Sequence, residues 1–166
     1  MSKILSDIDR QLLIISRGAE EILPKDRLKV VLEKSISNKI PLNVKLGCDP
    51  SRPDLHLGHS VVLRKLREFQ DLGHNAILVI GDFTAMIGDP TGRNKTRPQI
   101  SIKETKDNAR TYLEQAAKIL NIKKLKIVYN SDWLNKLDFY KIIELSSKFT
   151  VAQFIERDDF NKRYKN

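Results

Sequence analysis

Apolar residues recur at helical spacing in some stretches of this chain and as short continuous runs in others. Residues 3–22 place Ile4, Leu5, Ile8, Leu12, Ile15, Ala19 and Ile22 near one helical face, with Arg17-Gly18 as an interruption. Pro24 suits a first helical turn, and Leu28, Val31, Leu32 and Ile36 form the next stripe, which Pro41 ends. Residues 42–47 read as a first buried strand. Prolines at 50 and 53 break the chain before a helix expected over about 58–71, burying Val61, Val62, Leu66 and Phe69 and stopping at Gly73. Residues 76–80 are a continuous apolar run, as a central parallel strand requires. Ser101 with Glu104 spells a capping box for a helix reaching about residue 121, with Tyr112, Leu113, Ala116, Ala117 and Leu120 inward. A third strand follows at 125–129, then polar Asn130-Ser131-Asp132 and helical patterns over 139–148 and 150–157.

Strand, crossover helix and strand make a right-handed βαβ unit. The pattern predicts a doubly wound parallel α/β sheet, Rossmann-like in form, preceded by two N-terminal helices. Residues 1–40 are the helical segment, and 41–166 the first part of the α/β domain. Ligands of such sheets bind beyond the carboxyl ends of the strands. The first two strands deliver residues 47–59 and 81–97 to that edge.

Composition narrows the class. With 40% hydrophobic and 31% charged residues, the 166-residue chain is an ordinary globular protein with material for one core. The net charge of +9 suits a polyanionic partner such as nucleic acid, or reflects solvated lysine faces. A lone cysteine, Cys48, excludes an internal disulfide and fits a reducing compartment. No stretch resembles a signal peptide or a membrane span, so a cytoplasmic location is expected.

The candidate chemistry centres on His56-Leu57-Gly58-His59, where a helix begins. Free amides at a helix N-terminus meet anions, and two imidazoles beside them can donate to phosphate oxygens. Gly58 leaves room for a flat ring or ribose. Metal binding is the rival use of the two histidines, but no Cys, Asp or Glu at suitable spacing completes a ligand set. His74, at a helix end, reads as a surface residue. Residues 81–93 hold three glycines, two aspartates, two threonines and a proline, a composition suited to lining a pocket. One carboxylate facing a pocket could hold a substrate ammonium, or both could cap turns; the site reading is favoured for Asp89, and for Asp82 the two stand level. Arg93, Lys95 and Arg97 form either a basic loop closing over phosphates or a solvated tip.

HLGH after a strand, followed by GDFTAMIGDPTGR and later by VAQFIERDDFNKRY, resembles the nucleotide-binding half of tyrosyl-tRNA synthetases, class I aminoacyl-tRNA ligases. The similarity runs from about residue 10 to the end. H-x-G-H is shared by all class I synthetases and by other nucleotidyltransferases; the glycine-rich loop is selective for the tyrosine enzyme. The resemblance implies ATP-dependent activation of tyrosine to tyrosyl-adenylate and its transfer to tRNA(Tyr), by a homodimer without a membrane partner. His56 and His59 would stabilise the ATP phosphates, and Gly47, Asp49 and Gly58 would border the nucleotide. Thr84 and Asp89 would face the amino acid, with Asp89 on its ammonium. Arg93 and Arg97 would embrace pyrophosphate. Mg²⁺ would accompany the ATP, with no dedicated protein ligand and no structural metal.

Two departures stand out. Lys45 occupies a tyrosine-side position where many relatives carry an aromatic hydroxyl, although one branch has a similar lysine, and Leu46 replaces a small polar residue. Lys45 could instead pair with Asp82. No K-M-S-K-S run occurs, and the chain is expected to be the amino-terminal portion of a synthetase, inactive or nearly so alone. A free-standing nucleotidyltransferase and a non-catalytic RNA-binding or assembly module are the alternatives.

Overall fold

The computed structural model describes residues 4–24, 26–87 and 100–165. Three parallel strands, β1 (Asn43–Cys48), β2 (Asn75–Ile80) and β3 (Leu125–Tyr129), lie in that order in one sheet. Cys48 is level with Ile80 and Ile80 with Tyr129, so the strands finish together. Each then hands its next residue, Asp49, Gly81 or Asn130, to a common edge. The fold is the Rossmann-like parallel α/β class that the apolar pattern predicts.

Between β1 and β2 runs α3 (Leu57–Asp71). Between β2 and β3 come the short α4 (Asp82–Ile87) and the long α5 (Ile102–Ala116). Leu63 and Leu66 of α3, Ala76, Leu78 and Ile80 of β2, Ala109 and Ala116 of α5, and Leu120 form the core. Alternation along a strand turns 76, 78 and 80 to one face. Both helices therefore cover that face, and three alanines let them approach closely. Ile77 and Val79, on the opposite face, are half-buried.

Val61 and Val62 do not enter this core; they are 63% and 45% exposed. The inward stripe is Leu63, Leu66 and Gln70 instead. Gln70 is admitted because its amide donates to the Asn121 carbonyl and accepts from the Asn121 N–H. A stripe completed by a paired glutamine is invisible to a count of apolar positions. The end of α5 at Ala116 also precedes the expected one, although Leu120 still packs inward. Ser101 caps the start of α5, accepting from the Glu104 N–H, which is one half of the expected capping box.

The N-terminal segment forms α1 (Ile8–Ser16) and α2 (Arg27–Asn38). Gly18, at φ +72°, follows the early end of α1, so the expected helix over 3–22 is cut short. Ile15, Leu32 and Leu72 make a second, smaller core. Polar anchors set its orientation. The Lys65 ammonium donates to the carbonyls of Ile14, Ile15 and Arg17 at 3.2, 3.0 and 2.8 Å. It also pairs with Glu68 at 2.6 Å. A cation at the carbonyl end of a helix complements the helix dipole.

His74 is buried, contrary to the surface role its position suggests; it is 4% exposed. Gly73, at φ +94°, lets α3 end in a Schellman pair, with Gly73 N–H on the Gln70 carbonyl and His74 N–H on that of Phe69. The reversal turns the imidazole inward. Its Nδ1 accepts from the Leu42 N–H at 3.2 Å, and Nε2 meets Gln11 Oε1 at 2.8 Å as donor. Burial lowers the His74 pKa. The unfolded chain then binds the extra proton, so this contribution to stability is complete above the unfolded value near 6.5 and is lost as pH falls below it. The urea midpoint should therefore drop between about pH 7.5 and 5.5, and His74→Gln should drop less. Equal losses in the two proteins would show that His74 does not titrate between the states.

The chain closes with α6 (Ser131–Leu134), α7 (Phe139–Ser146), α8 (Val151–Ile155) and α9 (Asp158–Lys165). Thr150 and Gln153 cap α8 reciprocally. Among the described residues no helix is long and apolar enough to cross a membrane.

Candidate functional site

The level strand ends and the start of α3 enclose a cleft of about 760 Å³, a size suited to a small-molecule ligand. Five residues singled out in the sequence line it, Gly47, Asp49, His56, His59 and Thr84, with Gly81 from the glycine-rich stretch beside them. Arg52, Tyr112 and Asn130 join them. The apolar pattern hides these three. Arg52 lies in the irregular loop, Tyr112 reads as a core residue, and Asn130 as one of three polar residues closing the third strand. Position offered one signal, since Asn130 follows β3 as Asp49 follows β1.

His56 is the N-cap of α3. Its Nδ1 accepts from the Gly58 N–H at 3.1 Å, and His59 Nδ1 accepts from the His56 N–H at 3.2 Å. The two imidazoles thus make a reciprocal capping box usually built from Ser or Thr with Glu or Gln. A neutral ring that accepts at Nδ1 carries its proton on Nε2. Helix capping therefore selects the tautomer, leaving each Nε2–H as the donor for an outside partner. The ring centroids are 4.0 Å apart. His59 also meets Tyr112 edge-on at 6.3 Å. A Cβ on Gly58 would stand 2.9 Å from His56 Cε1, so the glycine makes room first of all for the histidine ring.

Opposite the imidazoles, one chain of hydrogen bonds joins the three strand ends. Asn130 Nδ2 donates to Thr84 Oγ1 at 2.9 Å, and Thr84 donates to Asp49 Oδ1 at 2.8 Å. Asn130 Oδ1 in turn accepts from the Phe83 N–H at 2.8 Å. Asp49 comes close enough that any Cβ on Gly81 would collide with its carboxylate and with Thr84 Oγ1. At Gly47, by contrast, a Cβ would meet nothing within 4 Å, so that strand end opens on the cleft. Beside it Cys48 is a neutral thiol, its pKa pushed up to about 11 by burial and by the Asp49 charge.

Asp82 has a structural part. It accepts from the Phe83 N–H, the Ser131 N–H and the Ser131 hydroxyl, tying the end of β2 to the start of α6. Among the described residues no ion pair joins it to Lys45, which is exposed on β1 and outside the cleft lining. Asp89, Arg93, Lys95 and Arg97 lie outside the described residues. Among the described residues no group of three His, Cys, Asp or Glu side chains is arranged to hold a metal ion.

Comparison with known proteins agrees with this architecture. Residues 37–166 match the family model of tRNA synthetases class I (W and Y). The chain is 57% identical over 157 residues to a tyrosine–tRNA ligase of Salinibacter ruber, covering 95% of this chain and 38% of that one. It is 58% identical over 163 residues to the tyrosine–tRNA ligase of Chlorobaculum tepidum, covering 98% and 40%. It thus spans about two-fifths of the length of these curated relatives. Among solved structures, a C-terminally truncated mitochondrial tyrosyl-tRNA synthetase of Aspergillus nidulans superposes with a TM-score of 0.73 at 22% identity, over 95% of this chain and 47% of that one. A tyrosyl-tRNA synthetase of Archaeoglobus fulgidus, complexed with L-tyrosine, gives 0.69 at 23% identity, over 87% and 41%. These two share the fold. With the family model matched from just before β1 through α9, the chain belongs to the class I tRNA synthetases of the W and Y group.

Proposed function

We propose that the protein activates L-tyrosine with ATP and transfers it to the 3′ end of tRNA(Tyr) in the cytoplasm, this chain carrying the phosphate-facing half of the site. The observation that carries the reading is the imidazole capping box, which leaves two Nε2–H donors beside a helix N-terminus on the cleft wall. The curated relatives named as tyrosine–tRNA ligases, at more than half identity, support tyrosine as the amino acid. A tyrosine carboxylate oxygen attacks the α-phosphorus of ATP, the bond to the β-phosphate oxygen breaks, and pyrophosphate leaves. Charge accumulates on the phosphate oxygens, where the His56 and His59 donors act. Gly47, Asp49 and Gly58 border the nucleotide, Thr84 and Asp89 the amino acid, and Arg93 and Arg97 the pyrophosphate, with Lys45 on the tyrosine side. Mg²⁺ enters with ATP, held chiefly by the phosphates.

Tyrosine-dependent exchange of pyrophosphate into ATP, measured on the full-length protein, tests the reading. Turnover with a small phosphorylated acceptor and no response to tyrosine would favour a free-standing nucleotidyltransferase. Salt-sensitive RNA binding that survives His56→Ala, with no exchange, would favour an RNA-binding module.

A homodimer contact belongs to the same proposal. Val151 and Phe154 of α8 are 74% and 42% exposed, and Phe139 and Ile143 of α7 are 77% and 52% exposed. Phe154 meets the rings of its sequence neighbours Phe149 and Phe160, at 5.5 and 5.9 Å. Large exposed apolar patches mark association surfaces. Phe154→Glu should shift the full-length protein from dimer to monomer in sedimentation. A variant that stays dimeric at the parent's concentrations would place the contact elsewhere.

A further inference from the structure

The loop that carries His56 into the cleft has no secondary structure of its own. Residues 49–55 include Pro50 and Pro53, and neither proline has an N–H with which to bond the chain into a turn. Ser51 N–H bonds the Asp49 carbonyl within the loop and Thr84 holds the Asp49 carboxylate, and from Pro50 to Leu55 α5 supplies a further set of hydrogen bonds. Asn108 Nδ2 donates to the Pro50 carbonyl at 3.0 Å, from a side chain buried with Pro50 itself. Thr111 Oγ1 donates to the Pro53 carbonyl. Gln115 makes two bonds there, donating from Nε2 to the Pro53 carbonyl and accepting the Leu55 N–H at Oε1, both at 2.9 Å. Tyr112, on the same helix, is buried and touches the His59 ring edge-on.

Asn108, Thr111 and Gln115 fall at helical spacings of three and four, and so share one side of α5. Their bonds reach the first proline of the loop, the second, and the residue immediately before His56. From this geometry we infer that α5 is a positioning helix for the paired imidazoles, with Gln115 its principal contact. The inference rests on the proposed adenylate chemistry. None of these side chains need touch the substrates. They set where the N-cap of α3 stands, and hence where the two Nε2–H donors point. Small displacements matter at such a site, because misplacing a reacting or stabilising group by about 1 Å can cost on the order of 10²-fold in rate.

The test is a double-substitution cycle in the full-length protein. Gln115→Met keeps length and removes both bonds. It should lower the kcat for tyrosine-dependent pyrophosphate exchange by about 10-fold or more, towards the 10²-fold expected of misplacement, with KM for tyrosine and ATP little changed. Gln115→Glu restores the acceptor for the Leu55 N–H and should recover part of the loss. In a His56→Ala, His59→Ala background, Gln115→Met should cost less than about 2-fold, because the groups it positions are gone. An undiminished loss in that background would make Gln115 a general stabiliser and overturn the inference. Hydrogen–deuterium exchange supplies a readout independent of activity, since Gln115→Met should speed exchange of residues 51–59. Unchanged exchange there would also overturn the inference. Absence of tyrosine-dependent turnover in the parent protein would defeat the functional reading instead, while the exchange measurement would still decide whether α5 holds the loop.

Discussion

Replacing His56 by alanine is expected to lower the rate of adenylate formation by roughly 10²–10³-fold while leaving ATP affinity nearly unchanged, the range for removing one preorganised donor. The structure adds a complication, because His56 is also the N-cap of α3. Losing a cap costs about 1 kcal/mol, and the freed Gly58 N–H would shift the start of the helix. His56→Ser separates the two parts. A serine hydroxyl can accept from the helix amides but cannot reach the cleft as Nε2–H does. Both variants should therefore lose the rate, and only alanine should lose stability, in exchange assays paired with thermal unfolding. If serine restored the rate, the imidazole would be a cap and nothing more.

Gly81→Ala should be the most damaging small substitution at the strand ends. The added methyl would overlap the Asp49 carboxylate and stand 2.6 Å from Thr84 Oγ1. Asp49 cannot move aside without giving up its bond to Thr84, and Thr84 cannot move without disturbing Asn130. Overpacking of this kind costs about 1–3 kcal/mol. For a protein with domains of this size the unfolding midpoint falls about 2–4 °C for each kcal/mol. Adenylate formation should fall as well, since the displaced chain lines the cleft. Gly47→Ala is the control. Its methyl enters open space at the neighbouring strand end, so stability should hold while ATP binding weakens. Equal stability of the two alanine variants would mean that the close approach of Asp49 to Gly81 carries no weight.

Much of this was legible because it is written in local patterns. The run 76–80 and the helix opening at His56 are marked by apolar continuity and by an H-x-G-H at a strand-to-helix turn. They appear as β2 and as the start of α3. Distance in the chain hid the rest. Gln70 pairs with Asn121 and Gln115 with Leu55, 51 and 60 residues away, and neither glutamine carries a periodic signal. The burial of His74 depends on Gly73 adopting a left-handed conformation and on Gln11 waiting 63 residues upstream. The imidazole capping box is hidden in the sequence for another reason. Its spacing is the usual one, but histidine is not among the residues ordinarily sought at a cap.

The grip of α5 on the histidine loop also orders events during synthesis. Leu55 is joined to the chain 60 residues before Gln115, which will hold it. At about 5–20 residues per second, several seconds separate the appearance of the imidazoles from that of their support. Over that interval a nascent chain bears the paired histidines without the support that fixes their loop, and the cleft wall is completed only when a later helix docks.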